Sequence, residues 1–94
     1  MFLSLNHKKL DVYKAAGELI KECYQLTHQL PVEERFNLIP QIRRAALSVK
    51  LNIAEGSSRK STVERNRYYE IARGSVIEID AAMETCIALN YLKI

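Results

Sequence analysis

Residues 41–56, QIRRAALSVKLNIAEG, carry the pattern that decides the fold. Apolar residues recur there every three or four positions, which is the spacing of one helical face. With Ile39 just before this stretch, they are Ile42, Ala46, Val49 and Ile53. Ser48 and Asn52 are four residues apart, so their side chains share a face and can join one hydrogen-bond network. Gly56 is expected to cap the helix in the left-handed conformation. We therefore predict a helix over residues 38–55 that carries polar groups on its packed side.

Two longer apolar patterns flank this segment. Residues 8–29 carry two neighbouring apolar rows, which predict a helix packed on more than one partner, with Asn6 as its N-cap. Residues 62–89 alternate apolar spacings of three and four without a break, which is the period of a near-parallel bundle. Ser61 and Glu64 precede this pattern and match a capping box. The chain is thus predicted to form three long helices.

Turn and breaker residues divide these helices. A proline followed by two glutamates predicts a short helical turn over residues 32–37. Gly74 interrupts the third helix, so we expect another backbone to pass closely there. Asn90 is expected to end that helix in the left-handed conformation. A length of 94 residues with few breakers predicts one helical-bundle domain over residues 1–94.

The positive charge is concentrated in the middle of the chain. The net charge is +3, but residues 43–73 hold eight Arg and Lys against three Glu, whereas residues 1–42 balance and residues 74–94 are acidic. A basic middle indicates a polyanionic partner, and a solvated face is the alternative. No groove-reading motif is present, so we expect charge-driven binding without sequence reading. The residues expected to bind RNA or DNA are Arg59, Lys60, Arg65, Arg67, Arg73, Lys50 and Arg43.

Catalytic and metal chemistry find little support in the sequence. Cys23 and Cys86 are far apart without zinc-ligand spacing, so we expect buried free thiols in a reducing cytoplasm. His7 and His28 have no spaced partner, and the di-iron bundle signature is missing. No apolar run matches a signal peptide or a membrane span. We expect no catalytic residue, no metal and no cofactor in a cytoplasmic protein that does not contact membrane.

The polar residues inside the second and third helices are interpreted as a structural layer. Arg43 and Arg44 point about 100 degrees apart on a helix, so at most one of them enters the bundle, where it needs a carboxylate partner. Glu78 is the expected partner, with Glu55 as the competitor. The predicted layer, which fixes helix register, comprises Arg44, Ser48, Asn52, Glu55, Ser75 and Glu78.

Four segments of the chain together resemble a known family. They are LDVYKAAGELIKECYQLT, P-x-E-E-R-F-N-L, Q-I-R-R-A-A-x-S-x-x-x-N-I-A-E-G-x-x-R and I-A-R-G-S-x-x-E. Over residues 8–92 the chain resembles the bacterial four-helix-bundle proteins encoded within intervening sequences of 23S ribosomal RNA genes. That family is similar to the accessory variability protein of diversity-generating retroelements. The positions that match its motifs are Arg43, Arg44, Ser48, Asn52, Glu55, Gly56, Arg59, Gly74, Ser75 and Glu78.

This resemblance implies a homopentameric ring of four-helix bundles with a basic surface. It also implies binding of nucleic acid and of a reverse-transcriptase-like or other protein partner. Family members continue past the position of residues 90–92 into a fourth helix. We therefore expect an all-α, up-down antiparallel bundle of the four-helix type, here with three long helices and the fourth truncated or absent. The expected function is a non-enzymatic oligomeric scaffold for RNA or DNA, and the alternative is a protein–protein interaction module with no direct nucleic-acid role.

Overall fold

The computed structural model describes residues 5–93, which contain helices and turns and no strand. Three α-helices form the body of the fold, and two short 3-10 helices precede the first and second of them. In chain order the elements are a 3-10 helix at Asn6–Lys9, α1 at Asp11–Thr27, a 3-10 helix at Val32–Glu34, α2 at Leu38–Ser57 and α3 at Thr62–Ala88. The predicted all-α class is thereby confirmed for this part of the chain.

Helices α2 and α3 pack against each other in opposite directions. Near the start of α2, Gln41 Nε2 donates a hydrogen bond to Glu78 Oε1 at 3.0 Å. Two turns further along α2, Ser48 Oγ accepts from Ser75 Oγ at 2.9 Å. The partner on α3 moves toward the start of that helix as the position on α2 advances. This order of contacts defines an antiparallel pair.

Helix α1 packs on another face of α2, and this pair is also antiparallel. Arg43 Nε, near the start of α2, donates to Thr27 Oγ1 at the end of α1 over 2.8 Å. Lys50 Nζ, one heptad later, lies 5.0 Å from the centroid of the Tyr13 ring near the start of α1. The chain therefore runs up, down and up, with α2 contacting both of the other helices.

The core is tightest at the end where α1 finishes and α2 begins. The side chains of Cys23, Ile42 and Cys86, one from each helix, are 1%, 1% and 0% exposed. The remaining buried apolar residues are Ala16, Leu30, Ala45, Ala46, Val49, Ile53, Ala72 and Ile79. Many of these side chains are small, which lets the three helices approach closely.

Hydrogen bonds tie the segment after α3 to the turn between α1 and α2. Asn90 has φ of 63°, which confirms the predicted left-handed end of α3. Tyr91 and Leu92 then pack against the core. The Tyr91 hydroxyl donates to Glu34 Oε2 at 2.9 Å, and Glu34 Oε1 accepts from Asn37 Nδ2 at 3.1 Å. One carboxylate thus fastens the end of the third helix to the beginning of the second.

The predicted cap at Gly56 is wrong. Gly56 has no positive φ, and α2 continues through it to Ser57. A Cβ added at Gly56 would lie 2.7 Å from Tyr69 Cε1 and 3.1 Å from Tyr68 Cβ. The absence of a side chain therefore serves the close approach of α2 and α3.

Two other sequence predictions differ from the structure. A Cβ added at Gly74 would meet nothing within 4 Å among residues 5–93, so no other backbone of this part of the chain passes closely there. Helix α1 begins at Asp11 after the extended residue Leu10, whereas Asn6 starts the separate 3-10 helix. Asn6 is therefore not the N-cap of α1. The predicted cap at Ser61 agrees with the structure, because the Ser61 hydroxyl accepts a hydrogen bond from the Glu64 amide at 3.1 Å.

The opposite end of the three helices is open. A groove of about 450 Å³ lies between the start of α1, the end of α2 and the start of α3. Its lining residues are Leu10, Val12, Val49, Ile53, Tyr69, Ala72, Arg73 and Val76. Val12 and Val76 remain about half exposed on its two sides. The helices thus leave an apolar surface uncovered on this side of the molecule.

Candidate nucleic-acid interface

Lys50 is held on the seam between α1 and α2. Its ammonium lies over the ring of Tyr13, with 5.0 Å between Nζ and the ring centroid. His7 meets the same ring at a centroid distance of 4.8 Å and an interplanar angle of 73°. A cation placed over an aromatic face is attracted to the ring quadrupole by about 0.5–1 kcal/mol at an exposed site. Tyr13 therefore favours a position of the Lys50 ammonium over its ring at the protein surface.

Arg43 is held on the same seam by two contacts. Its Nε donates to the buried Thr27 hydroxyl at 2.8 Å, and its guanidinium lies 4.4 Å from the centroid of the Tyr24 ring. The Nη atoms have no hydrogen-bond partner in the described part of the chain, and they are not buried. A guanidinium fixed in this way presents a preoriented pair of donors to an anion.

Arg59, by contrast, is engaged at the α2–α3 turn. Its Nη2 donates to Glu55 Oε2 at 2.8 Å and to the Tyr68 hydroxyl at 3.0 Å. The guanidinium also lies 4.9 Å from the centroid of the Tyr68 ring. Arg59 Nε is buried without a partner within residues 5–93. Through these contacts Arg59 links α2 to α3.

Arg65 also closes this turn. Its Nη1 donates to the carbonyl oxygens of Arg59 and Lys60, each at 2.9 Å, and its Nη2 donates to Thr62 Oγ1 at 3.1 Å. Carbonyl groups beyond a helix end need such donors, because the helix itself supplies none. Arg65 thus satisfies carbonyl groups of the turn, and its guanidinium already donates three hydrogen bonds within the protein.

The other predicted phosphate ligands are exposed on or near α3. Lys60 and Arg67 form no ion pair or hydrogen bond through their side chains with any residue from 5 to 93. Arg73 pairs with Glu70 at 3.6 Å on the surface, a geometry that contributes little to stability. The predicted basic set is therefore divided between two exposed residues, one exposed ion pair and several side chains with structural contacts.

The structure brings together half of the predicted polar layer. Asn52 Nδ2 donates to Ser48 Oγ at 3.0 Å, and Ser48 Oγ accepts from Ser75 Oγ at 2.9 Å. Asn52 Nδ2 also donates to the Ser48 carbonyl oxygen at 2.8 Å. This half-buried network joins α2 to α3 at one height, which suits a role in fixing their register.

The charged members predicted for that layer lie outside the network. Arg44 is exposed, Glu55 pairs with Arg59, and Glu78 accepts from Gln41. The inward arginine is Arg43, which faces α1 and has a hydroxyl partner in place of a carboxylate. The predicted arginine–Glu78 pair is therefore absent. A neutral acceptor suffices because only part of the Arg43 side chain is buried.

Three lysines that the sequence analysis did not select lie near Lys50. Lys8, Lys14 and Lys21 line a cleft of about 330 Å³ on the α1–α2 seam. The remaining residues of its lining are Tyr13, Gly17, Glu18 and Lys50. The net charge of residues 1–42 does not reveal these lysines, because five acidic residues balance the basic ones there. The spacing of seven between Lys14 and Lys21 is the signal that places them on one helical face.

Thiol and metal chemistry have no visible centre in the described residues. Burial raises the pKa of the Cys23 and Cys86 thiols, and the neighbouring Glu22 and Glu34 respectively raise them further. A thiol with a raised pKa is a poor nucleophile and a poor metal ligand. Within residues 5–93 no three His, Cys, Asp or Glu side chains come together as a metal site would require. None of the helices described has the length and apolar character to cross a membrane.

The comparison with protein families identifies the chain over nearly its whole length. The family model described as 23S rRNA-intervening sequence protein matches residues 8–94. No curated protein matches the chain. The matched region contains all three α-helices and the α1–α2 seam. The chain therefore belongs to the family of 23S rRNA-intervening sequence proteins.

Proposed function

We propose that this protein is a non-enzymatic, homo-oligomeric helical scaffold that binds RNA or DNA through its basic surface in the cytoplasm. The subunit is proposed to be of the up-down four-helix-bundle type, and the resemblance to the accessory variability protein favours a pentamer. The proposal includes no catalytic step and no cofactor. Two buried free cysteines suit a reducing compartment.

The observation that carries this proposal is a set of cations held at fixed places without acidic partners. Lys50 and Arg43 are positioned by tyrosine rings, and neither forms an ion pair within the described residues. Ordered cations attract phosphate without first losing much side-chain freedom. Lys60 and Arg67 add exposed positive charge on another side of the molecule. Such a surface suits a phosphate backbone.

Binding to nucleic acid is expected to depend steeply on salt. Neutralising phosphates releases counterions, so the affinity for a structured RNA should fall at least about tenfold between roughly 50 and 200 mM salt. Fluorescence anisotropy with a labelled RNA hairpin measures this, and a scrambled hairpin of equal length should bind equally well. A folded protein that binds neither hairpin at low salt would contradict the proposal.

The apolar groove supports assembly of several copies. Three helices of a 10.8 kDa chain bury only a modest share of their surface. The groove of about 450 Å³ and its two half-exposed valines form a continuous apolar surface, which soluble proteins usually cover. We propose that a helix of a second copy occupies this groove and completes a packing of the four-helix type.

The oligomer is expected to dissociate when charge enters the groove. The double variant Val12→Lys/Val76→Lys places two ammonium groups where the second copy would bury apolar surface, and burying an unpaired charge is very costly. Light scattering after size exclusion should show a mass close to that of the monomer. Val63→Lys is the matched control, because Val63 is 80% exposed and lies outside the groove. An unchanged mass in the double variant would argue against this interface.

The same groove favours a second candidate function, a protein–protein interaction module without a nucleic-acid role. Its lining is almost entirely apolar and suits an amphipathic helix of a partner, such as a reverse-transcriptase-like protein. Retention of a purified partner that survives nuclease treatment and high salt, together with no RNA binding, would support this second function.

A further inference from the structure

We propose that the cleft on the α1–α2 seam, formed around Lys14, Lys21 and Lys50, is the site that receives the phosphate groups of a nucleic-acid strand. This inference rests on the proposed nucleic-acid function and names the surface that performs it. It differs from the expectation from the sequence, which placed most of the phosphate contacts at the α2–α3 turn and along α3.

The charge of the cleft is strongly positive for its size. Four lysines and one glutamate line a space of about 330 Å³. Lys14 and Lys21 are exposed and lie two helical turns apart on one face of α1, which is roughly 10 Å along the axis. Glu18 lies between them and pairs with Lys21 at 3.3 Å, but both side chains are about 70% exposed, so solvent weakens that pair. The charges of Lys14 and Lys21 therefore remain open to a polyanion.

The cleft also holds one cation in a fixed position. Lys50 reaches from α2 over the ring of Tyr13, and a Cβ added at Gly17 would lie 3.8 Å from its Nζ. That distance is an ordinary van der Waals contact, so the Lys50 ammonium lies beside Gly17 along the surface of α1. Tyr13 is engaged by Lys50 and His7, so it positions a charge rather than stacking on a base. This arrangement favours contact with the backbone of the strand.

Arg43 extends the row of charges along the seam. It stands one heptad before Lys50 on the same side of α2, and Tyr24 holds it as Tyr13 holds Lys50. Its Nη donors are not buried and have no partner among the described residues. A strand that lies in the cleft and follows the seam would therefore meet a second fixed cation.

The α2–α3 turn is less suited to the same role. Arg59 and Arg65 donate to a carboxylate, a phenol and two backbone carbonyls of the protein itself. A phosphate would have to displace these partners, and displacing them would loosen the turn. Lys60 and Arg67 keep their charge free, but no aromatic ring in the described part of the chain lies against either cation.

A pair of charge-matched double variants tests the location. The cleft variant is Lys14→Gln/Lys21→Gln, and the turn variant is Lys60→Gln/Arg67→Gln. Each removes two positive charges from exposed positions. Glutamine has a helix propensity close to that of lysine and arginine. Binding of an RNA hairpin and of DNA with the same sequence is measured across a salt series. Circular dichroism and oligomer mass verify that both variants remain folded and assembled.

The cleft variant is expected to lose at least about tenfold in affinity near 0.1 M salt, and its salt slope should fall by about two. The turn variant should change affinity less than about threefold. Glu18→Gln should strengthen binding, because Glu18 is the one acid among the described residues that line the cleft. Equal losses in both double variants, or a greater loss in the turn variant, would overturn the assignment while nucleic-acid binding stands. Absence of binding by the unmodified protein would overturn the function itself.

Discussion

Gly56→Ala is expected to destabilise the protein by about 2 kcal/mol, which lowers the melting temperature by roughly 10 °C for a chain of this size. The new methyl group would lie 2.7 Å from Tyr69 Cε1 and 3.1 Å from Tyr68 Cβ. Rotation of the Tyr69 side chain can relieve the first contact, because its ring lies at the surface. The second contact involves an atom attached directly to the backbone of α3, so it is relieved only when the helix moves.

Gly74→Ala provides the matched control. Gly74 also lies inside a helix, but a Cβ there meets no atom of the described residues within 4 Å. Alanine is favoured over glycine in a helix by about 1 kcal/mol, so this change should stabilise the protein. Thermal unfolding followed by circular dichroism, at one protein concentration for all variants, measures both effects. A Gly56→Ala protein as stable as the Gly74→Ala protein would show that α2 and α3 do not meet as described.

A second change separates the two tyrosine contacts. In the double variant Gly56→Ala/Tyr69→Ala, the loss caused by the aromatic ring disappears, whereas the loss caused by Tyr68 Cβ remains. A coupling free energy near zero between the two substitutions would assign the cost to the approach of the helices. A coupling that recovers most of the loss would assign it to the Tyr69 ring.

The contrast between these glycines shows where sequence reasoning reaches its limit. The apolar spacing predicts α2 and α3 well, since the periodicity is a property of each helix alone. Gly56 follows Glu55 at the end of an apolar pattern, which is also the usual place of a left-handed cap. Only the crossing of α2 over Tyr68 and Tyr69 decides between the two roles, and that crossing depends on residues more than ten positions away.

The same limit explains the division of the basic residues. Arg59 and Arg65 look like phosphate ligands in the sequence because their charges follow a helix end. In the structure their donors meet a carboxylate, a phenol and carbonyl groups that only the folded turn brings within reach. Lys14 and Lys21 were hidden for the opposite reason. A sum over residues 1–42 sets them against five acids, whereas α1 displays them beside Lys50 of another helix.

Ile42→Ala is expected to cost about 2–5 kcal/mol, the largest effect of any substitution considered for this chain. Ile42 is 1% exposed and lies in the tight end of the core with Cys23 and Cys86 from the other two helices. Removing three carbon atoms there forfeits the transfer free energy and leaves a cavity, which the surrounding helices close only in part. Since small domains are stable by only about 5–15 kcal/mol in total, much of the stability would be lost.

Two further variants, one elsewhere on α2 and one at Ile42 itself, provide reference values for this expectation. Leu51→Ala removes a similar volume from a side chain that is 53% exposed on the outer side of α2, so the free energy of unfolding should change by less than about 1 kcal/mol. Ile42→Val removes a single methylene and should cost about 0.5–1.5 kcal/mol. Urea unfolding at fixed protein concentration gives all three values. If Ile42→Ala and Leu51→Ala cost the same, the three helices do not converge on Ile42. The α1–α2 seam at Lys50 and Arg43 would then not be held rigidly by the core, because both cations lie on α2, the helix that Ile42 packs into the core.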